Sequence, residues 1–342
     1  MTQDSSQTST SKAAENSNLF ISIAAFCDPF LRFTIESLFN QASEPEKLFL
    51  GIVDQSHESQ QTWISTLAHA DQIRYLHIDP LHSKGVSWAR HLAQTLYDDE
   101  KYFLQIDSHT WFTPNWDGVL RQHMENLQTI HPRPVLSIYP PGFEFDANGQ
   151  PSQKSNISKS LAIFEVKPDQ SLTPDNPVLT FRVTYQPAPQ DRRTYYACGF
   201  HIAGGFLLTL GHFVREVPYD PQFYFHGEEQ HLALRAFTHG WEIFHPSFSE
   251  VPLFHLYKQP NTTSSNLHWR QDLDIKRPVK WTQRRASARQ RLSKLIDNQL
   301  APPYSLGNAR SLDDFILRSG IDYRQHIVQA PITSLVKVPE PI

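Results

Sequence analysis

The sequence predicts an α/β fold in which a parallel sheet is covered by helices on both faces. From Leu19 to Asp107, short apolar runs rich in strand-forming residues alternate with segments whose apolar residues recur at helical spacing. That alternation is typical of βαβ units, whose strands run parallel. Ligands of such folds bind beyond the carboxyl ends of the strands, so a site is expected at that edge of the sheet.

The elements before Asp107 are predicted from apolar pattern alone. The predicted strands are Leu19–Phe26, Leu48–Asp54, Ile73–Ile78 and Tyr102–Ile106. The predicted helices between them are Phe30–Gln41, Gln60–His69 and Val86–Leu96. Asp107 directly follows the fourth strand and therefore falls at a strand end where chemistry is expected.

The rest of the chain is less regular. A polar, proline-rich stretch over residues 142–193 is interpreted as an inserted hairpin or lid, with strand-like runs at Leu161–Val166 and Val178–Tyr185. Phe200–Leu210 is predicted to return to the sheet, and Glu228–His239 to form a helix that ends at Gly240. A basic stretch follows Lys258 and includes a predicted helix at Trp281–Ile296; the segment after Pro331 is expected to be extended.

Composition excludes several classes of protein. The chain of 342 residues has 31 basic and 35 acidic residues and a net charge of −4, which argues against nucleic acid as the main partner. The only cysteines in the sequence are Cys27 and Cys198, which indicates a reducing compartment rather than a disulfide framework. There is no signal-peptide pattern and no apolar run near the roughly 20 residues of a membrane span. These features favour a cytoplasmic protein without a membrane span.

The sharpest candidate for chemistry is Asp107-Ser108-His109, directly after a buried strand. Because alternate side chains of an extended chain point the same way, Asp107 and His109 can reach one point in space. A carboxylate oxygen and an imidazole suit a divalent ion such as Mn²⁺, which would neutralise a diphosphate leaving group. The alternative is that Asp107 is an ordinary helix cap or turn residue.

Two flanking segments add candidates. In Lys84–Arg90, Gly85 allows close approach of the backbone, and Arg90 could bond to a phosphate or to an acidic side chain near it. The alternative for Arg90 is a surface helix position. Further on, Gly204 and Gly205 are expected inside an apolar strand, which they weaken unless a ligand or another backbone must come close.

Two acidic residues and one histidine complete the set. Glu228 and Glu229 follow Gly227 at a predicted helix start, a position that the helix dipole alone favours for acids. His255 follows the apolar stretch Val251–Phe254 and is structural unless it joins Asp107 and His109 as a third ligand.

In this order the motifs resemble those of the GT-A polypeptide N-acetylgalactosaminyltransferases, which have D-S-H, then A-G-G, then G-E and a distal histidine. The closer resemblance is to the Skp1-type hydroxyproline N-acetylglucosaminyltransferases and their bacterial relatives, over roughly Leu19–Phe143 and Cys198–Tyr323. It includes Ile21–Ala24, Ser87–Arg90, Leu104–His109, Phe225–Glu229, Tyr304–Gly307 and Ser319–Asp322.

The resemblance implies a retaining transfer of a sugar, GlcNAc as first choice, from a UDP-sugar to a hydroxyl group, with Mn²⁺ or Mg²⁺ as cofactor. The acceptor stays open: it could be a hydroxyl group of a protein or peptide, of a glycan or of a small molecule. It implies Asp107, His109 and His255 as metal ligands and Asp107, Glu228 and Glu229 as catalytic residues, with Glu228 the first candidate to orient sugar or acceptor. The donor-binding candidates are Ala24, Phe26, Asp28, Trp88, Arg90, Gly204, Gly205 and Tyr257.

The implied domain organisation is a single GT-A domain with an insertion and a C-terminal extension. Residues 1–18 are expected to be a disordered polar tail, residues 19–258 the catalytic domain, residues 259–330 a basic helical extension and residues 331–342 a tail. Two alternatives stay open: a non-catalytic protein that binds nucleotide sugars, and a donor other than UDP-GlcNAc, namely UDP-GalNAc, UDP-Glc or UDP-Gal. A metallohydrolase is disfavoured because no H-E-x-x-H spacing occurs.

Overall fold

The computed structural model describes residues 17–154, 159–189, 191, 194–257 and 267–339. Nearly all of the polar tail predicted at residues 1–18 lies outside the described residues. The first part of the basic stretch, from Lys258 to residue 266, also lies outside them.

The described residues form a mixed α/β structure. Its strands are β1 (Leu19–Phe26), β2 (Leu48–Gln55), β3 (Ile73–His77), β4 (Tyr102–Asp107), β5 (Thr110–Phe112), β6 (Pro134–Ser137), β7 (Phe143–Phe145), β8 (Pro151–Gln153), β9 (Ser160–Val166), β10 (Phe181–Pro187), β11 (Tyr195–Cys198), β12 (Phe206–Leu210), β13 (Glu242–His245), β14 (Leu253–His255), β15 (Ile321–Asp322), β16 (Ile327–Val328) and β17 (Leu335–Lys337). Its α-helices are α1 (Leu31–Gln41), α2 (Gln61–Ile64), α3 (Val86–Gln94), α4 (Trp116–Gln128), α5 (Phe213–Glu216), α6 (Glu228–Thr238), α7 (Gln271–Asp274), α8 (Trp281–Ile296) and α9 (Leu312–Ser319).

The central sheet of the described chain has nine strands in the order β17-β11-β13-β6-β12-β4-β1-β2-β3. The first four strands of the sequence pair in parallel, as predicted. The other half is mixed, because β12 runs antiparallel to both β4 and β6. Register places Ala24 opposite Asp107 and Ala25 opposite Asp54, so the carboxyl ends of β1, β2 and β4 share one edge.

Two predicted elements differ in the structure. The helix predicted at Gln60–His69 is only the four residues of α2, since the hydroxyls of Ser65 and Thr66 donate to the carbonyls of Thr62 and Trp63 and compete with helical bonding. The predicted strand at Phe200–Leu210 begins only at Phe206, so the two glycines lie in the turn before it. The carbonyl of Gly204 accepts from the side chains of Arg90 and Gln105, which takes it out of the sheet ladder.

The insertion and the C-terminal segments pack onto the same body as the sheet. One hydrophobic cluster joins Phe164 and Leu179 of the insertion, Tyr224 and Leu234 around α6, and Leu292 of α8. The predicted helix at Trp281–Ile296 is confirmed by α8. The segment predicted as a tail carries β17, which pairs antiparallel with β11 and covers that edge of the sheet. No helix among the described residues is long and apolar enough to cross a membrane.

Close packing of α3 against the sheet is tested by Gly51→Ala. A Cβ on Gly51 would lie 2.3 Å from Phe20 Cζ and 3.1 Å from the Ala93 carbonyl oxygen, so there is no room for a methyl group. We expect the variant to lose about 1–3 kcal/mol of unfolding free energy, measured by urea denaturation. Gly142→Ala is the matched control, because its Cβ would meet its nearest neighbour, Tyr257 Cδ2, at 3.4 Å. Equal stability of the two variants would contradict the tight contact at Gly51.

Candidate active site

A cavity of about 610 Å³ opens at the carboxyl ends of β1, β2 and β4, a size within the range of small-molecule sites. The residues predicted for the site that line it are Ala24, Phe26, Asp28, Arg90, Asp107, His109, Gly204, Gly205, Glu228, Glu229, His255 and Tyr257. These residues come from distant parts of the chain. The fold therefore gathers most of the predicted set around one space.

Asp107, His109 and His255 form a candidate metal centre in this cavity. Asp107 ends β4, and His109 lies in the bend that leads to β5. His255 ends β14, whose pairing with β5 brings it beside His109; the Leu256 N–H also donates to the His109 carbonyl at 3.0 Å. One ligand atom of each of the three residues lies within 4.8 Å of the others. An oxygen and two imidazole nitrogens fit a Mn²⁺-type ion.

A carboxylate behind this centre orients one of its rings. His109 Nδ1 donates to Asp28 Oδ2 at 2.6 Å, and Ser108 Oγ donates to the same oxygen at 2.6 Å. Metal-binding histidines are typically held by a carboxylate in this way, which leads us to expect that His109 would bind an ion through Nε2. Asp28, expected from the sequence to touch the nucleotide, thus orients His109 while also lining the cavity.

The protonation states suit metal binding. Burial acts to raise the pKa of Asp107, but the hydrogen bond from His255 and the charge of Arg90 outweigh it, so the pKa lies well below its usual range. Burial lowers the pKa of His255, which keeps its imidazole neutral. His255 Nε2 lies 3.0 Å from Asp107 Oδ2. Ionised carboxylate and neutral imidazole are the forms that bind metal ions.

Arg90 lies beneath the cavity and not on the surface of α3. It is 4% exposed, and its Nη2 donates to Asp107 Oδ1 at 2.9 Å and to the Gly204 carbonyl at 2.7 Å. Its Nη1 pairs with Glu228. A Cβ on Gly204 would lie 2.5 Å from Arg90 Nη1, which explains the glycine: a side chain, and not another backbone, comes close.

The adjacent acids at the start of α6 point in different directions, because consecutive helical residues are about 100° apart. The Glu228 side chain is only 5% exposed, and its Oε1 accepts from Tyr219 Oη at 2.6 Å as well as from Arg90. The Glu229 side chain is 28% exposed at the cavity wall. The sequence favoured Glu228 as the residue that meets substrate, whereas the geometry favours Glu229.

Three donors hold Glu229 in place. The Gly204 N–H donates to Oε1 at 2.7 Å and Tyr139 Oη donates to Oε2 at 2.8 Å, while His201 Nε2 lies 3.3 Å from Oε2. Burial opposes ionisation, but these hydrogen bonds, that of His201 first, bring the pKa of Glu229 below its ordinary value. A fixed, ionised carboxylate facing the cavity can accept hydrogen bonds from sugar hydroxyls.

One residue that was predicted to bind the sugar donor, Trp88, does not line the cavity. Trp88 lies two positions before Arg90 on α3, about 200° around the helix, so when Val86 and Arg90 face the cavity Trp88 faces away. Lys84 Nζ lies 5.5 Å from the centre of the Trp88 ring. The assignment of Trp88 to the donor site is therefore corrected.

Sequence reasoning missed several residues that line the cavity or support a residue of its lining. Tyr139 follows β6, and a search of every strand end could have found it; His201 is 1% exposed, and no sequence pattern marks it. An aromatic wall was also missed; it consists of Tyr224, Phe225, His226, His268 and Trp269. The insertion adds Val178, Leu179, Thr180 and Phe181 to the cavity lining, and its role as a lid stays a prediction.

Comparison with known proteins identifies a family and a fold. The family model described as "Glycosyltransferase (GlcNAc)" matches residues 18–69 and 60–325. A structure of GalNAc-T7 with UDP, GalNAc and Mn²⁺ is similar at 13% sequence identity and a TM-score of 0.52, covering 87% of this chain and 54% of that chain. The chain thus spans about half the length of that neighbour. No curated protein matches the sequence.

Structures of residues 1–349 of TarS from S. aureus are also similar. The complex with UDP-GlcNAc shares 12% identity at a TM-score of 0.44, covering 82% of this chain and 73% of that chain, which is too low a score to support an argument. The predicted α/β fold of GT-A type is confirmed, while the narrower Skp1-type assignment stays a prediction. The family match spans well over half of the sequence, and the chain belongs to the glycosyltransferase (GlcNAc) family.

Proposed function

We propose that this protein is a metal-dependent glycosyltransferase that moves a sugar, GlcNAc as first choice, from a UDP-sugar to a hydroxyl acceptor. The observation that carries the proposal is the grouping of Asp107, His109 and His255 in one cavity with the exposed carboxylate of Glu229. The family description supports GlcNAc, and the GalNAc-T7 neighbour, solved with UDP and Mn²⁺, supports a nucleotide donor and a divalent ion. A protein, peptide or glycan hydroxyl is the proposed acceptor.

The strand ends support a position for the sugar donor. We place its uridine near Ala24, Phe26 and Asp28 at the end of β1, and its diphosphate next to Asp107. Gly205 supports this placement, because a Cβ there would lie 3.0 Å from Asp107 Oδ2 and would crowd the metal centre. The sugar would then lie toward Glu229, between the Gly204 turn and the insertion.

Asp107, His109 and His255 would hold the ion. A bound divalent ion supplies charge neutralisation of the diphosphate as it leaves. Arg90 holds the Asp107 carboxylate in one orientation, and Glu229 accepts hydrogen bonds from the sugar or the acceptor hydroxyl. Groups that are fixed before the reaction need no reorganisation in the transition state. We propose retention of the anomeric configuration, which the resemblance to the retaining families implies.

Asp107→Asn tests the central metal ligand. The change keeps the size of the side chain and removes its charge, so we expect Mn²⁺ affinity and the rate of UDP release from UDP-GlcNAc each to fall at least about 100-fold. Calorimetry measures Mn²⁺ binding independently of activity. Asp313→Asn on α9 is the control, since that side chain is 74% exposed. Near-normal binding and turnover in Asp107→Asn would refute the metal centre.

His255→Ala tests the third ligand. We expect the Mn²⁺ concentration for half-maximal rate to rise about 10–100-fold, because one imidazole of the centre is lost. His57→Ala, at an exposed loop position, is the matched control and should leave the Mn²⁺ dependence unchanged. A Mn²⁺ dependence that does not change in His255→Ala would show that His255 is structural.

Paired substitutions separate the two acids of α6. Glu229→Gln removes the charge that faces the cavity, so kcat should fall about 100-fold while Mn²⁺ affinity stays the same. Glu228→Gln removes the partner of Arg90, which orients Asp107, so its main effect should be a higher Mn²⁺ requirement. Steady-state kinetics at several Mn²⁺ concentrations measure both effects. The opposite pattern would restore Glu228 as the residue that meets substrate.

A further inference from the structure

The C-terminal segment next to the cavity is strongly basic. Residues 275–296 contain no aspartate or glutamate, and their basic residues are Lys276, Arg277, Lys280, Arg284, Arg285, Arg289, Arg291 and Lys294. Some of these have structural roles. Arg277 donates to the carbonyls of His268 and Pro80, Lys280 donates to three carbonyls near the start of α8, and Arg291 pairs with Asp220 at 2.5 Å.

Three other arginines of α8 form no ion pair with a carboxylate among the described residues. Most arginines in the described part of the chain form an ion pair with a carboxylate, but Arg284, Arg285 and Arg289 have no carboxylate within ion-pair distance among the described residues. The charge of Asp274 acts on Arg284 from beyond that distance. The neighbouring segment outside the described residues, 258–266, contains no acidic residue in its sequence. In a protein of net charge −4, these positive charges are a local feature and not a general excess.

Arg285 lies over a tryptophan ring that continues the aromatic wall of the cavity. Arg285 Cζ is 4.8 Å from the centre of the Trp281 ring, and the Trp281 and Trp269 rings are 6.3 Å apart. Trp269 lines the cavity, and its ring centre is 5.5 Å from that of Phe225, whose side chain is 55% exposed. A continuous row of rings therefore runs from Arg285 to the mouth of the cavity.

Electrostatics agrees with this placement. Burial, and after it the charges of Arg285 and Arg289, lowers the pKa of His226. Burial, with Arg277 and Arg284, lowers the pKa of His268 to about 3. Both histidines are thus neutral near pH 7, so the positive charge of this wall belongs to the arginines. An arginine keeps its charge at any physiological pH.

The donor diphosphate, as we place it, would lie at the candidate metal centre and be neutralised by the ion held there. That centre consists of Asp107, His109 and His255, with Arg90 Nη2 2.9 Å from Asp107 Oδ1. The α8 arginines lie elsewhere, since the charges of Arg285 and Arg289 influence the pKa of His226 and that of Arg284 the pKa of His268, both on the aromatic wall. A second anionic group, separate from the donor diphosphate, would match them.

We propose that the α8 wall, defined as Phe225, His226, Trp269, Arg284, Arg285 and Arg289, binds an acceptor that is an anionic carbohydrate, with a phosphate or carboxylate group on the sugar. This inference rests on the proposed function and specifies its acceptor. Guanidinium groups match phosphate and carboxylate oxygens in pairs. The flat rings of Phe225 and Trp269 offer apolar faces to the C–H face of a sugar ring, which an acidic peptide does not need.

The test uses the full chain saturated with UDP and Mn²⁺, so that the donor site is filled. Calorimetry then compares glucose 6-phosphate with glucose as probes. Because charge-assisted hydrogen bonds to arginine would be made only by the phosphorylated sugar, it should bind at least about tenfold more tightly. Arg285→Gln/Arg289→Gln should remove most of that difference and leave UDP affinity unchanged.

Lys294→Gln is the matched control. Lys294 is exposed on α8, nine residues after Arg285 and on the opposite side of the helix, so the variant removes one positive charge away from the wall, where the double variant removes two. It should bind glucose 6-phosphate as the unmodified chain does. A loss of equal size in Lys294→Gln would show a general charge effect and would overturn the assignment of the site.

The remaining outcomes separate this inference from the proposed function. Failure of the unmodified protein to bind UDP would refute the proposed function itself. Normal UDP binding with no preference for glucose 6-phosphate over glucose would overturn only the acceptor site. Weaker UDP binding in the double variant would assign the arginines to the donor diphosphate. Equal or tighter binding of inorganic phosphate, or of a polyglutamate peptide, would refute the carbohydrate part of the proposal.

Discussion

One buried guanidinium, that of Arg90, holds the centre of this molecule together. It lies on α3 and binds Asp107 of β4, Glu228 of α6 and the Gly204 carbonyl before β12, so four separate parts of the chain meet at one side chain. Burial acts against its charge, but Glu228, Tyr219 and Asp107 outweigh burial and raise its pKa, so Arg90 remains ionised. A buried charge is tolerated only when it is paired and hydrogen-bonded in this way, and loss of one partner leaves the other uncompensated.

The rest of the site follows from this contact. Because Glu228 is paired with Arg90, the neighbouring Glu229 is the more exposed carboxylate of α6 in the cavity, where Tyr139, His201 and the Gly204 N–H hold it. The backbone of Gly204 therefore links both acids, with its carbonyl on Arg90 and its N–H on Glu229. The hydrogen bond from His255 and the charge of the same guanidinium lower the pKa of Asp107 and keep it ionised. The candidate metal centre and the acid that we propose to meet substrate thus share one network of contacts.

The α8 wall is positioned by other contacts than those of Arg90. The insertion and α8 come from distant parts of the sequence and share one hydrophobic cluster with α6. Burial of Ala288 and Leu292 fixes the inner face of α8, which sets Arg285 and Arg289 on the flank beside His226. The family match runs to residue 325 and so includes α8 as well as the first strands. Acceptor chemistry, as we propose it, depends on this packing rather than on the nucleotide-binding half of the sheet.

The local elements and the residue types of the candidate metal centre could be predicted from the sequence alone. The strands β1 to β4 and the helices α1, α3, α6 and α8 follow from apolar periodicity, which is a property of neighbouring residues. Asp107 and His109 follow from their position after a strand, and His255 from the order of motifs shared with related families. The folded chain alone shows that Arg90 is buried, that Trp88 faces away, that Glu229 exposes more of its carboxylate in the cavity than Glu228, and that His201 supports Glu229. Those facts depend on which side chains meet across long separations in the chain, and local sequence patterns carry no record of such contacts.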